Sequence, residues 1–283
     1  MSRRRRLLGR RLLGWANRLC GALCPGRVAD RAWRVWGRTW RFPVKPRERQ
    51  WLAEAERPPL EYLGRPLAVY VWGEPGPTVM LVHGWNGHAG QLGGFVAPLV
   101  AAGYRVVAFD APGHGASHGH HTDIYAYTGA IDAVAERYGP LEGLIAHSYG
   151  AVCAAMSLRV GLIVRRAVFV AAPARYQDLV ERYLQGMRFH PAVQEAFRHR
   201  LFRAYGRDAW QRFSVIENVA RVHTRGLVIH DRNDRIAPPD QAEAIAAAWP
   251  RAHVHWTEGL GHFRILADPA VNQVAADFIG GQD

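Results

Sequence analysis

The chain has 283 residues, of which 49% are hydrophobic, and a formal net charge of +12. This length and composition suffice for one sizeable folded domain and exclude a mostly disordered chain. Residues 1–50 contain 15 arginines or lysines against two acidic residues, and residues 51–283 contain 21 against 22, so the positive charge belongs to an N-terminal arm. Because no nucleic-acid-reading motif accompanies that charge, a nucleic-acid partner is not expected.

The first 26 residues form a basic and apolar segment, MSRRRRLLGRRLLGWANRLCGALCPG. Read as a helix, the segment places five apolar residues on one stripe: Leu8, Leu12, Trp15, Leu19 and Leu23. Such a stripe among arginines is typical of a helix on an anionic membrane surface, and a frayed, solvated tail is the equal alternative. Peripheral contact with the inner membrane surface through residues 1–26 is therefore one expectation.

Tryptophans dominate the next piece of the chain, where Trp33, Trp36 and Trp40 recur at helical spacing. We expect these side chains to pack on the main domain rather than to stack on nucleic-acid bases. Residues 1–45 are accordingly predicted to form a basic, Trp-rich, amphipathic extension of the folded domain.

From residue 66 onward, short apolar runs alternate with helical segments. Seven runs predict strands: PLAVYVWG, TVMLVHG, YRVVAFD, LEGLIAH, RAVFVAA, GLVIHD and AHVHWTEG. Helices are predicted near residues 90–102, 122–138, 149–160, 239–249 and 268–279. This alternation predicts an α/β fold over residues 46–283, with a mostly parallel central sheet flanked by helices.

One interval breaks the alternation, because the chain between Ala172 and Gly226 has helical patterns and no strand signal. An insertion after a central strand lies above the carboxyl ends of the strands, so residues of about 174–215 are predicted to form a helical lid. A helical excursion that only completes the core is the alternative. A lid would offer apolar side chains to a substrate: Leu179, Tyr183, Met187, Phe197 and Phe202.

The stretch IAHSYGAV, residues 145–152, places Ser148 between a predicted strand and a predicted helix. It nearly matches Gly-x-Ser-x-Gly, the motif of a nucleophile on a sharp strand-to-helix turn, with Ala146 in place of the first glycine. Because the turn requires small residues and Ala146 adds only a methyl group, we expect the turn to form and to expose the Ser148 hydroxyl.

A serine nucleophile needs a histidine base and a carboxylate that orients the histidine. His262 and Asp234 follow two predicted strands, in loops on the same sheet edge as Ser148. Asp231 is the competing acid, but it directly ends its strand, where a turn residue is expected, so Asp234 is preferred. The backbone N–H groups of Trp85 and Tyr149 are predicted to bind the oxyanion, since both follow predicted strand ends.

Together these motifs resemble the α/β-hydrolase superfamily over about residues 60–283. The matching stretches are VHGWNG, FDAPGHGAS, AHSYG, HDRNDRIAP and GLGHF, in the order of that family. The resemblance implies that Ser148 is the nucleophile, Asp234 the acid and His262 the base, with Trp85 and Tyr149 in the oxyanion hole. It also implies a structural duty for the turn that contains His114.

The remaining histidines and cysteines predict no cofactor or metal. Adjacent histidines in the glycine-rich HGHH loop, His118, His120 and His121, are exposed more often than they are metal ligands. Cys20, Cys24 and Cys153 are too few for a disulfide framework and contain no Cys-x-x-Cys pair, which favours a cytoplasmic protein. His147 is expected to tune the substrate pocket.

These features predict a cofactor-free serine hydrolase that acts on small-molecule carboxylic esters, or on thioesters, through an acyl-enzyme. Peptidase and perhydrolase activity stay open, because the same triad serves several reactions. The alternative function is a catalytically inactive protein of the same fold that binds a membrane surface or a partner through its basic N-terminal arm.

Overall fold

The computed structural model describes residues 17–282. The chain divides into two compact units. The first, which we call the helical unit, comprises residues up to Arg38 together with Arg175–Arg212. The second, the sheet unit, comprises Thr39–Ala174 and Phe213–Asp283.

The sheet unit is built on a seven-stranded sheet. Its strands are β3 (Val69–Trp72), β4 (Thr78–Val82), β5 (Arg105–Phe109), β6 (Leu141–His147), β7 (Val164–Val170), β8 (Arg225–Asp231) and β9 (Ala252–Thr257), and a separate hairpin joins β1 (Glu61–Tyr62) to β2 (Arg65–Pro66). The order is β3-β5-β4-β6-β7-β8-β9, and only the β3–β5 pair is antiparallel. The predicted mostly parallel sheet is confirmed.

The strand order reverses at β4, which lies between β5 and β6. In open α/β sheets the crevice beyond the strand ends at such a reversal is where ligands bind. The central strands are buried on both faces; Val79, Met80 and Leu81, for example, have no exposed surface. This double burial explains why the strands read as continuous apolar runs rather than as alternating patterns.

Helices cover the sheet close to where the sequence predicts them. In the sheet unit they are α2 (Pro46–Ala53), α3 (Val96–Ala101), α4 (Ile124–Tyr138), α5 (Tyr149–Val160), α9 (Val215–Val219), α10 (Asp240–Ala248), α11 (Gly261–Arg264) and α12 (Pro269–Gly280). Asp268 caps the start of α12, because its carboxylate accepts hydrogen bonds from the N–H groups of Ala270 and Val271 at 3.0 and 3.1 Å.

The helix predicted near 90–102 takes a different form. Ala89–Phe95 is a 3₁₀ helix, and the α-helix α3 begins only at Val96. Glycines lower helix propensity in this stretch, and Gly93 lies flat against Trp51, so that a Cβ atom there would overlap the indole ring. The backbone at Gly93 therefore packs directly on the Trp51 ring, in a stretch that is 3₁₀ rather than α-helical.

The helical unit contains a helical segment at residues 17–23 and four further helices: α1 (Pro25–Trp36), α6 (Tyr176–Gly186), α7 (Pro191–Tyr205) and α8 (Ala209–Arg212). Trp33 packs on Phe197 with ring centroids 5.5 Å apart, and Trp36 packs on Tyr183 at 4.9 Å. Their partners lie on the inserted helices, within the predicted domain of residues 46–283, and packing on the sheet unit itself stays untested. Their spacing defines a helix face but not the surface that the face meets.

Two of the side chains expected to face a substrate instead pack within the helical unit. Phe197 is fully buried, and the Tyr183 hydroxyl donates a hydrogen bond to the carbonyl of Ala32 at 3.0 Å. Leu179, Met187 and Phe202 remain partly exposed. That residues 174–215 act as a lid stays a prediction.

The extension predicted as residues 1–45 is shared between the two units: it belongs to the helical unit up to Arg38 and to the sheet unit from Thr39 onward. The Thr39 hydroxyl donates to the carbonyl of Gly113 at 2.6 Å. The Arg41 guanidinium donates to the carbonyls of Ser117 and Gly119 at 2.6 and 2.8 Å and to Nδ1 of His120 at 2.9 Å. Arg41 therefore fixes the loop of the HGHH histidines and uses one ring nitrogen of His120.

Among residues 17–282, no group of three or more histidines, cysteines or acidic residues could hold a metal ion. Within the same range, no helix combines the length and the apolar character needed to cross a bilayer.

Candidate active site

Ser148 alone connects strand β6 to helix α5, since β6 ends at His147 and α5 begins at Tyr149. Its backbone has φ 51° and ψ −121°, a left-handed conformation that a residue with a Cβ rarely adopts. The Ser148 N–H donates to the carbonyl of Val170 in β7 at 2.9 Å, and its carbonyl accepts from the N–H of Ala151 at 2.9 Å. The strained turn is thus held by hydrogen bonds on both sides.

The two small residues of the motif meet different constraints. Ala146 is fully buried within β6, paired with Val82 of β4 on one side and Phe169 of β7 on the other. At Gly150 a Cβ would collide with the carbonyl oxygen of His83 and lie 2.8 Å from that of Val82. The sheet therefore accommodates a methyl group at the first position, whereas α5 packs on the end of β4 only with glycine at the second.

His262 and Asp234 form a hydrogen-bonded chain with Ser148. His262 lies on the short helix α11 after β9, and Asp234 lies in the loop after β8. The His262 Nε2 atom is 3.0 Å from the Ser148 Oγ, and its Nδ1 is 2.7 Å from Oδ2 of Asp234. The structure thus brings together the three residues that the sequence nominates; their catalytic roles remain predictions.

The surroundings of Asp234 keep its carboxylate charged. Burial alone would raise the pKa of Asp234, but the hydrogen bond and the charge of His262, together with two backbone donors, lower the pKa below its usual value. The backbone donors are the N–H groups of Ile236 and Ala237, which lie 2.7 and 3.0 Å from Oδ1. Because Oδ1 is occupied in this way, Oδ2 is fixed toward His262.

Asp231, the competing acid, forms no hydrogen bond or ion pair with His262; its carboxylate is bonded to the two neighbouring loops instead. Its carboxylate accepts from the N–H of Asn233 at 2.9 Å, the hydroxyl of Thr257 at 2.8 Å and the N–H of Leu260 at 2.9 Å. Burial would raise the pKa of Asp231, yet these donors lower it below its usual value. Asp231 therefore joins the loop that contains Asp234 to the segment that leads into His262.

His147 packs against His262 and forms a hydrogen bond with its backbone. Its Nε2–H donates to the carbonyl of His262 at 3.0 Å, and the two imidazole rings lie 4.9 Å apart. Burial and the neighbouring His262 lower the pKa of His147 to about 3, so the ring is neutral at physiological pH. Its observed contacts are with His262, and the expectation that His147 tunes the substrate pocket stays a prediction.

Trp85 lies in a tight turn beside Ser148. The N–H of Gly87 donates to the carbonyl of Gly84 at 2.9 Å, and Asn86 in this turn has φ 58°. A Cβ on Gly84 would stand 3.1 Å from the Cβ of Ser148, so the chain before Trp85 can approach Ser148 this closely only with a residue that has no side chain.

Tyr149 lies on the other side of the Ser148 turn, at the start of α5. The first N–H groups of any α-helix have no carbonyl partner within that helix. The rings of Trp85 and Tyr149 pack at 5.1 Å. Both residues of the predicted oxyanion hole therefore adjoin Ser148, and their binding of an oxyanion stays a prediction.

A buried aromatic cluster beneath this turn was missed by sequence reasoning. His83 donates from Nδ1 to the carbonyl of Gly84 at 2.7 Å and accepts at Nε2 from the N–H of Ala111 at 3.0 Å. Burial lowers the pKa of His83 and of His114 to about 3. The His114 ring meets Trp85 edge-on at 5.4 Å, so its turn supports the site through packing.

Comparison with known proteins assigns the fold and the broad class. A model of the alpha/beta hydrolase family matches residues 79–274. A 2-hydroxy-6-oxononadienedioate/2-hydroxy-6-oxononatrienedioate hydrolase from Cupriavidus pinatubonensis is 27% identical over 72% of this chain and 86% of that protein. This relative is a hydrolase. An identity of 27% does not determine the substrate of this chain.

Solved structures share the fold at lower identity. Est1E from Butyrivibrio proteoclasticus, determined with ferulic acid bound, superposes with a TM-score of 0.64, 18% identity and coverage of 78% of this chain and 96% of that chain. A bacterial membrane phospholipase A superposes with a TM-score of 0.63 and 21% identity and covers 99% of both chains.

The packing around the Ser148 turn predicts opposite outcomes for two small substitutions. Gly150→Ala would ordinarily stabilise a helix by about 1 kcal/mol, but the collision with the His83 carbonyl should reverse the sign and destabilise the protein by about 3 kcal/mol. Ala146→Gly should destabilise it by only about 1 kcal/mol. Urea unfolding measures both, and a neutral or stabilising Gly150→Ala would contradict this account of the turn.

The hydrogen bonds of Asp231 predict a pH-dependent effect of Asp231→Asn. The lowered pKa means that the carboxylate stabilises the folded state above its unfolded-state pKa of about 4, and that this stabilisation is lost as pH falls through the folded-state pKa. Asp231→Asn should therefore lower the free energy of unfolding by about 2–3 kcal/mol at pH 7 and by progressively less below about pH 4. Urea unfolding across this range measures the difference; the exposed Glu74→Gln is the control, and a pH-independent difference would contradict the assignment.

Proposed function

Because the chain belongs to the alpha/beta hydrolase family, we propose that it is a serine hydrolase that cleaves carboxylic esters of small molecules, without a cofactor. The observation that supports this proposal is the hydrogen-bonded chain from Ser148 through His262 to Asp234, with distances of 3.0 and 2.7 Å. Such a chain gives a weak nucleophile a base, and gives the base a fixed orientation.

In the proposed first half-reaction, Ser148 Oγ attacks the ester carbonyl carbon while its proton passes to Nε2 of His262. The charged Asp234 stabilises the imidazolium through the Nδ1 hydrogen bond and does not itself take a proton. Collapse of the tetrahedral intermediate breaks the bond to the alcohol oxygen, which leaves with the proton from His262. The product of this half-reaction is an acyl-enzyme on Ser148.

The second half-reaction repeats the proton transfers with water. His262 accepts a proton from a water molecule as the water oxygen attacks the acyl carbon, and returns the proton to Ser148 Oγ as the acid leaves. In both halves, the negative charge on the carbonyl oxygen would be bound by the backbone N–H groups of Trp85 and Tyr149. Preorganised donors of this kind each contribute about 10²–10³ in rate.

Oxygen and sulfur esters are proposed because their leaving groups depart more readily than an amine, which leaves only after protonation. A thioester is therefore the second substrate class, and peptidase or perhydrolase activity stays open because the same triad serves several reactions. The structural neighbours include a membrane phospholipase A, which is compatible with an ester substrate for this chain.

The competing proposal is a catalytically inactive protein that kept the fold. Its basic N-terminal arm would then bind a membrane surface or a partner. The concentration of positive charge in residues 1–50 is the observation that favours it. The hydrogen-bonded relay argues against lost turnover, because a protein without catalysis has no need to keep these two hydrogen bonds next to a strained serine. Cytoplasmic location remains a prediction for either function.

The relay predicts selective labelling by a fluorophosphonate probe, which reacts with activated serines. The native protein should be labelled, and Ser148→Ala should not be, since the reacting oxygen is removed. Ser157→Ala, which changes a buried serine farther along the same helix, is the matched control and should be labelled like the native protein. Equal labelling of Ser148→Ala and the native protein would refute Ser148 as the nucleophile.

Hydrolysis of p-nitrophenyl esters of graded acyl length distinguishes the two proposals. We expect turnover by the native protein and a kcat about 10³–10⁴ lower in Asp234→Asn, in which the amide cannot fix and stabilise His262 in the same way. A folded native protein that hydrolyses none of the esters and resists the fluorophosphonate would support the binding function instead.

A further inference from the structure

The positive charge of the protein is divided unequally between its two units. Within the helical unit, residues 17–38 and 175–212 contain thirteen arginines against five acidic residues. The sheet unit contains seventeen arginines or lysines against nineteen acidic residues. The excess positive charge therefore lies on the helical unit as well as in the first residues of the chain, and the unit with the proposed active site is close to neutral.

Four of those five acidic residues already have arginine partners within the helical unit. Glu181 and Glu195 both contact Arg198, at 2.7 and 3.3 Å. Two further pairs are Asp30 with Arg200 and Asp208 with Arg212. Asp30 is the acidic residue of α1, and it pairs with Arg200 of α7 rather than with Arg27, Arg31 or Arg34.

Helix α1 and the helical segment before it form a nearly continuous helix. The N–H of Cys24 donates to the carbonyl of Cys20 at 2.9 Å, and that of Val28 donates to the carbonyl of Cys24 at 3.2 Å. One side of this helix is buried, with Ala29 and Ala32 almost inaccessible to solvent. Helical spacing therefore sends a distinct set of residues to the opposite side.

We call this opposite side the outer face. It consists of exposed residues at helical spacing: Leu19, Cys20, Leu23, Cys24, Arg27, Arg31 and Arg34. Leu19 and Leu23 are 68% and 77% exposed. None of Arg27, Arg31 and Arg34 forms an ion pair with any residue in the described part of the chain. The outer face thus joins two exposed leucines to three arginines that lack acidic partners.

We propose that the outer face binds the surface of a membrane that contains anionic lipids. Its arginines would contact lipid phosphates, and Leu19 and Leu23 would insert among the acyl chains near the headgroups, the arrangement of a helix that lies in a membrane interface. Charge complementarity selects this partner, and the exposed leucines distinguish it from a nucleic acid. RNA would be bound by arginines together with aromatic rings for base stacking, and the outer face has no aromatic residue.

Vesicle binding by the full chain tests the proposal independently of hydrolysis. The Ser148→Ala chain is floated with phosphatidylcholine vesicles and with vesicles in which a third of the lipid is phosphatidylglycerol. Binding is expected only to the anionic vesicles. Replacement of Arg27, Arg31 and Arg34 by glutamate should weaken it by about 100-fold or more, since each arginine near such a surface contributes about 1 kcal/mol.

A charge-matched variant separates the outer face from net charge. Replacement of Arg49, Arg65 and Arg159, which are exposed on the sheet unit, by glutamate changes the net charge equally and should weaken binding much less. Equal loss in the two triple variants, or no loss in the outer-face variant, would overturn the proposal. Tighter binding to single-stranded RNA than to anionic vesicles would overturn it as well.

The native cysteines allow a direct measurement of insertion. Cys20 and Cys24 are exposed and Cys153 is buried, so an environment-sensitive thiol dye on Cys24→Ser reports from Cys20. Its emission should shift to the blue when anionic vesicles are added. The same dye on a chain with Cys20→Ser, Cys24→Ser and Arg159→Cys should not shift, and a Cys20 signal that stays unchanged while the protein binds would contradict docking through the outer face.

Discussion

The proposed site depends on one constraint: the chain must turn from β6 into α5 within the single residue Ser148. A left-handed backbone at a residue with a side chain is unfavourable by about 1–3 kcal/mol and persists only where surrounding contacts enforce it. Here the enforcing contacts are the hydrogen bonds with Val170 and Ala151 and the close packing of Gly150 on the end of β4. The turn exposes the Ser148 hydroxyl and aligns the start of α5 with the loop that contains Trp85.

The sheet then brings distant segments to that hydroxyl. The parallel register aligns the carboxyl ends of β4, β6, β8 and β9 on one edge, so residues more than 100 positions apart in the sequence meet without a long loop. Parallel strands determine the edge, but they do not determine which acid faces His262. Asp231 accepts hydrogen bonds from Thr257 and Leu260 and thereby joins the two loops, whereas Asp234 is the carboxylate that contacts His262.

The sequence was sufficient to predict what depends on local patterns and on residue size. Continuous apolar runs predicted the strands, Asp268 predicted the start of α12, and the need for a small residue predicted that Ala146 would be tolerated. It could not predict which partner a helix face meets, which is why Tyr183 and Phe197 were expected to face a substrate rather than to pack against Trp36 and Trp33. The support of His262 by the His147 imidazole was equally inaccessible, because it depends on the geometry of a loop 115 residues away.

The two proposed activities depend on electrostatics of different kinds. In the sheet unit, Asp234 and His262 are buried and joined by a hydrogen bond, where mobile ions screen their interaction only weakly. On the outer face, exposed arginines would act on lipid phosphates through water, and salt at physiological concentration screens such attraction beyond about 8 Å. Rising ionic strength should therefore release the protein from an anionic surface while the Ser148 relay stays intact. The rate of hydrolysis of a dissolved ester would then be insensitive to salt. The rate of hydrolysis of an ester within a membrane would decrease as the salt concentration rises.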